Sequence, residues 1–116
     1  MDTKALQKLT YGLYVVTSVN RKGKYNGQIV DAIMQASSDP VLLAMCINKK
    51  NLTHEYITES GIFSLSVLAI DTPLEFIGHF GFKSGRDFYK FDKVNFKVGE
   101  SGAPIVIDNA IASVEA

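Results

Sequence analysis

The sequence is short of the residues on which most small-protein chemistry depends. Its one cysteine, Cys46, cannot close an internal disulfide, and its two histidines, His54 and His79, stand at no ligand spacing from it. A zinc site is therefore not expected. Charge of one sign is lacking too, since 12 Lys and Arg balance 12 Asp and Glu. With no basic excess and no polybasic run, neither a nucleic acid nor an anionic membrane is expected as a partner. No stretch approaches the ~20 apolar residues of a membrane span, and Met1-Asp2-Thr3-Lys4 leads into no long apolar run, so a cytoplasmic location is expected. Missing as well are a Gly-x-Gly-x-x-Gly turn, a Gly-x-x-x-x-Gly-Lys-Ser/Thr loop and a Gly-x-Ser-x-Gly elbow. Catalysis by side chains alone has thin support, and a bound cofactor is the natural alternative.

What is present suits one packed domain: 116 residues, 47% hydrophobic and 21% charged. Thr10 to Ser18 reads as a strand, with Tyr11, Leu13 and Val15 on one side and Tyr14 and Val16 on the other. Asn20 to Lys24 is a polar turn, and Asn26-Gly27 is a second site that tolerates positive φ. Gln28 to Ala36 reads as one strand, ended by Ser37-Ser38-Asp39-Pro40. Val41 to Ile47 is a short apolar run that fits a strand buried on both faces, with Cys46 a buried small hydrophobe inside it. Asn51 to Ser60 predicts a helix closed by Gly61. Ile62 to Ala69 returns to a strand. In Thr72-Pro73-Leu74-Glu75 the threonine is expected to cap, the proline to take the first helical position and Glu75 to close a capping box, for a helix from Pro73 to about Phe80, broken at Gly81. Strand-like runs follow at 95–98, 105–107 and 110–115, the last alternating up to the final residue, as in a sheet finished by further chain or by another subunit. Strands outnumber short helices, which suits a β-barrel with helices outside it.

Two polar clusters carry the chemical signal. Lys83-Ser84-Gly85-Arg86-Asp87 offers an ammonium, a hydroxyl, accessible backbone N–H and a guanidinium, which reads either as a phosphate cradle or as a solvated turn. Asn48-Lys49-Lys50-Asn51-Leu52-Thr53-His54 joins a strand to a helix, where Asn51 or Thr53 either caps the helix or leaves its N–H groups to an anion. Seven of the twelve aromatic residues fall between positions 76 and 96. Phe76, Phe80 and Phe91 read as packing, whereas Phe82 could border a planar ring.

Taken in order, several segments resemble the flavin reductase and flavoredoxin group of FMN-binding split-barrel domains. They are Asn26-Gly27-Gln28-Ile29, Gln35-Ala36-Ser37-Ser38-Asp39-Pro40, Ile47 through His54, Phe76 through Asp87, Lys90-Phe91 and Gly102-Ala103-Pro104-Ile105. The resemblance covers essentially the whole chain. It implies a mainly β fold with short helices, a split β-barrel that dimerises and binds FMN near the subunit interface. It also implies an oxidoreductase that takes electrons from NADH or NADPH through FMN to a small molecule or a small redox protein. Two other readings stand beside that one: an FMN-binding electron-transfer module with no nicotinamide oxidation of its own, and a split-barrel interaction protein without cofactor. Carried over by position, Gln28, Gln35 and Ser37 lie along the isoalloxazine and ribityl chain, and Asn48, Asn51 and Thr53 reach the ribityl or phosphate. Ser84, Gly85, Arg86 and Lys90 fall on the phosphate side. The chain departs from the family pattern in two ways. Asp31 stands where an amide or small hydroxyl is usual, which near a flavin predicts a lower potential or weaker binding. The strands that usually follow at the C-terminus, completing the barrel, are not in this sequence, which reads as one domain, truncated at that end.

Overall fold

The computed structural model describes residues 3–6 and 12–116, so Tyr11 and the start of the first expected strand lie outside it. A four-residue helix, α1 (Thr3–Leu6), precedes the sheets. β1 (Tyr14–Val19) and β2 (Tyr25–Val30) form an antiparallel hairpin, Tyr14 opposite Val30 and Val19 opposite Tyr25. The turn between them is tied by Asn20, whose Oδ1 accepts from the N–H groups of Lys22 and Lys24, as its sequence predicts. β3 (Ile33–Ser38) and β4 (Val41–Met45) make a separate two-stranded ribbon, turning at Asp39-Pro40. α2 (Leu52–Ser60) ends at Gly61, which takes φ 74° and donates its N–H to the Ile57 carbonyl, the left-handed cap that glycine accepts without a Cβ clash. β5 (Ser64–Leu68), α3 (Leu74–Gly81), β6 (Phe96–Val98), β7 (Pro104–Val106) and β8 (Ala110–Glu115) complete the order.

The sheet order is β2-β1-β5-β8, with β3-β4 and β6-β7 as two-stranded companions. All pairings are antiparallel and, among the described residues, the sheets do not close into a barrel. β1 is buried on both faces. Val15 sits in a cluster with Leu68, Phe80, Phe91 and Val106, and Val16 points the opposite way, to Val30 and Leu65. This is the alternation expected for Leu13, Val15, Tyr14 and Val16. Aromatic rings thicken the first cluster: Phe91 meets Tyr25, Phe80 and Phe96 edge-on at 5.2–6.0 Å between centroids, a favoured geometry.

Several sequence expectations are corrected. Gln28 to Ala36 is two strands, not one, because the chain leaves the main sheet at Asp31-Ala32 and starts a new ribbon. Asn26-Gly27 does not use the positive φ that it tolerates; both residues are buried within β2. β4 is not a doubly buried strand, since Val41 and Leu42 are 72% and 52% exposed, and Cys46 beyond it is exposed rather than buried. An apolar run states only that water is avoided, and here the ribbon meets the core through Ile33 and Met45 while Val41 and Leu42 stay exposed. Thr72 does not cap α3: its hydroxyl donates to the Ala69 carbonyl, and Pro73 takes the cap position with ψ 144°. Gly81 belongs to α3 instead of breaking it. A Cβ there would come within 3.2 Å of the Ile29 side chain, so glycine lets the helix end lie close on β2.

Replacing Phe91 by Ala is expected to cost about 3–5 kcal/mol of stability, read by urea unfolding. A loss below about 1 kcal/mol would mean that the ring cluster is not the core.

Candidate cofactor site

A cavity of about 370 Å³ opens where three segments converge: β2 (Asn26, Gln28, Ile29), the entrance to α2 (Lys50 to Thr53), and the end of α3 with its following loop (Phe80 to Gly85), with Lys90 beneath. Its charge is one-sided, because three lysines line it and no carboxylate does. No side chain caps α2, whose cap position is Asn51, so the first N–H groups of the helix face an anion-favouring end. Thr53 is buried and its Oγ1 accepts from Asn26 Nδ2 at 2.8 Å, leaving the hydroxyl proton to donate elsewhere. Ser84 Oγ likewise accepts locally, from the Arg86 N–H at 3.2 Å. Gln28 Oε1 is buried with no partner.

Lys90 is the most constrained group in the site. It is 3% exposed, and its Nζ donates to the Gly27 carbonyl at 2.8 Å and the Phe80 carbonyl at 2.9 Å. Two of its three protons thus tie β2 to the end of α3. Burial pulls its pKa from the ordinary 10.5 down to about 8, because desolvation disfavours the charged form. A neutral amine still carries two protons, so both carbonyl ties can survive deprotonation while the third proton and the charge are lost. His79 Nε2 lies 2.6 Å from the Lys90 carbonyl, giving that histidine a partner that its sequence neighbours do not supply.

The cavity brings together Gln28, Asn51, Thr53, Phe82, Ser84, Gly85 and Lys90. It does not take in Asp31, Gln35, Ser37, Asn48 or Arg86. Asp31 is exposed and borders a different cavity, with Leu13, Leu68 and Ile77. Gln35 and Ser37 lie on β3, where Gln35 Nε2 donates to the Ser37 carbonyl. Asn48 Oδ1 accepts from the Lys50 N–H and shapes the turn into α2. Arg86 is turned to Glu55, 2.5 Å away, and to the Lys50 carbonyl at 3.2 Å. That contact holds the Glu55 carboxyl below, and the Arg86 guanidinium above, its ordinary range. Asn26 is a lining residue that sequence reasoning missed, because its role depends on Thr53, 27 positions away. Lys50 and Lys83 are legible only as charges within their loops.

Gly85 is forced by space. A Cβ there would meet Asn26 Oδ1 at 2.1 Å, and Asn26 is buried and bonded to Thr53, so it has little room to give.

With the geometry in place, comparison with known proteins identifies the class. The flavin reductase like domain family matches residues 6–116. The chain belongs to this family. It is 48% identical over 116 residues to a ferric-chelate reductase (NAD(P)H) of Archaeoglobus fulgidus, covering all of this chain and 68% of that protein. It is 50% identical over 117 residues to a high molecular weight rubredoxin of Moorella thermoacetica, of which it covers half. Among solved structures it is similar to an NADH:FAD oxidoreductase of Streptomyces globisporus C-1027, at 27% identity and a TM-score of 0.82, over 96% of this chain and 64% of that one.

Two predictions follow from the geometry. Gly85→Ala is expected to displace Asn26, at a stability cost of about 1–3 kcal/mol for the broken buried bond to Thr53, and to weaken anion binding at least about tenfold, a ligand effect of about 1.4 kcal/mol read by titration. The second concerns pH. The folded pKa of Lys90, about 8, lies below its unfolded 10.5, so the unfolded state holds more protons between the two values. The Lys90 contribution to stability is therefore flat below pH 8 and rises from there to pH 10.5. The thermal midpoint of wild type minus that of Lys90→Met should rise across this window, and a flat difference would contradict the burial argument.

Proposed function

We propose that this chain is the flavin-binding unit of an NAD(P)H-dependent flavin reductase-type oxidoreductase, with FMN as its cofactor. The observation that carries the reading is a cavity with three lysines, an uncapped helix start and no carboxylate, in a chain of the flavin reductase family. The residues present fit a phosphorylated ligand with hydroxyls next to its anionic end. Lys90 keeps one proton unspent, Lys50 and Lys83 supply charge, and the N–H groups of Leu52 and Thr53 supply dipoles. Gln28 Oε1 is a buried acceptor that needs a donor, which a ribityl hydroxyl provides. Phe82, 78% exposed at the cavity edge, is an apolar surface for a planar ring. A bound flavin would supply the hydride- and electron-transfer chemistry between a nicotinamide and an acceptor. The residues named here hold and orient the flavin. The electron acceptor is proposed as a ferric chelate or a small redox protein, by analogy with the two relatives.

A homodimer is proposed on the β3-β4 ribbon. Met34, Val41 and Leu42 stand 64%, 72% and 52% exposed on two strands that meet the core through Ile33 and Met45, and single-chain surfaces rarely leave such a group uncovered. Gln35 and Ser37 share that ribbon, so their proposed place beside the flavin depends on this packing. Among the described residues no helix is long and apolar enough to cross a membrane. A cytoplasmic setting is the one that this cofactor and donor suit.

The test is the visible spectrum of the purified protein, with FMN titrated in if it is colourless, followed by anaerobic NADH and NADPH. Near-stoichiometric flavin that bleaches with a nicotinamide supports the reading. Flavin that binds but does not bleach leaves an electron-carrying module, and refusal of FMN overturns the proposal. For the dimer, light scattering is expected to show twice the chain mass for wild type and a monomer for Val41→Lys. Asp31→Asn tests how far the ring extends: altered affinity or potential would place the ring at the β2-β3 connection.

A further inference from the structure

Arg86 stands one residue past Gly85, on the loop that walls one side of the cavity. Its guanidinium turns away from the cavity and crosses to the opposite wall. Nη2 donates to Glu55 Oε1 at 2.5 Å and to the Lys50 carbonyl at 3.2 Å, and Nη1 donates to Glu55 Oε2 at 3.4 Å. The planar fork is engaged by a carboxylate in the two-point manner that suits it. Both ends of this tie adjoin segments that line the cavity: Glu55 stands two residues past Lys50 to Thr53, and Arg86 one residue past Lys83 to Gly85. The Lys50 carbonyl that accepts from Arg86 belongs to a lining residue itself. The two walls are 31 to 36 positions apart in sequence and meet here side chain to chain.

We infer that Arg86 and Glu55 form a strut that sets the separation of the two anion-holding segments, so that Arg86 acts on the cofactor phosphate through the walls instead of touching it. Glu55, an acidic residue on α2, is then a positioning residue for an anion site. This inference rests on the flavin reading above and assigns its phosphate end. It runs against simple electrostatics, and the sign of one substitution separates the two accounts. Removing the Glu55 charge near an anion site, with nothing else changed, improves anion binding. Removing one end of a strut weakens it.

The experiment measures dissociation constants for FMN and for riboflavin, which lacks the phosphate, by flavin fluorescence at low ionic strength. The proteins are wild type, Glu55→Gln, Arg86→Gln and the double variant. Each single variant is expected to weaken FMN binding about 2- to 5-fold, the modest scale of a solvent-exposed ion pair. The double variant should be no weaker than the weaker single, as for two residues acting as one unit. Riboflavin affinity should stay at the wild-type value. FMN binding that tightens or stays unchanged in Glu55→Gln overturns the strut, as does additivity in the double variant. An equal loss for riboflavin and FMN overturns it too, since the pair would then only support the fold. Wild type that binds neither flavin sinks the broader flavin reading, a result distinct from all of these.

Discussion

The arrangement depends on one buried ammonium. Lys90 sits between the Gly27 carbonyl of β2 and the Phe80 carbonyl of α3, and its burial is costly enough to draw its pKa down to about 8. A lysine is kept in such a place only when its donors are used. Two of them fasten the helix end to the sheet, at the point where Gly81 lets α3 lie close on Ile29. The Phe80 ring, pinned by the same contact, fills the core beside Val15 and Phe91. One side chain therefore serves the floor of the cavity and the packing of the domain.

From that floor the cavity is built by short-range constraints. Asn26 on β2 reaches Thr53 on α2, and the absence of a side chain at Gly85 lets the 83–86 loop settle against Asn26. The donors that result are lysines, hydroxyls and backbone N–H groups, and the exception is Gln28 Oε1, an acceptor without a donor. A site rich in donors with one unsatisfied acceptor is suited to an anion that carries a hydroxyl close by. The phosphate and ribityl of a flavin have that pattern, and the chain's family is one in which a flavin is the expected ligand.

Local chemistry made much of this legible in the sequence. Asn20 to Lys24 carries its own turn signals, Gly61 closes α2 as a left-handed cap, and Ser84-Gly85 already offers a cradle. What was not legible depends on long-range partners. Nothing near Arg86 announces that Glu55, 31 positions earlier, takes its guanidinium. Nothing near Asn26 points to Thr53. The apolar run at Val41 to Ile47 states that water is avoided but not whether the cover is the domain's own core, and the doubly buried strands proved to include β1 instead. Thr72 has the residues of a capping box, yet its hydroxyl turns back to Ala69.

The central claim is that the lysine-lined cavity holds the phosphate of FMN, and the most direct measurement is a crystal structure of the protein grown with FMN. The account predicts phosphate oxygens within hydrogen-bond distance of Lys90 Nζ and of backbone N–H groups at the start of α2, with a ribityl hydroxyl donating to Gln28 Oε1. Flavin bound elsewhere, with this cavity holding only solvent, would contradict it.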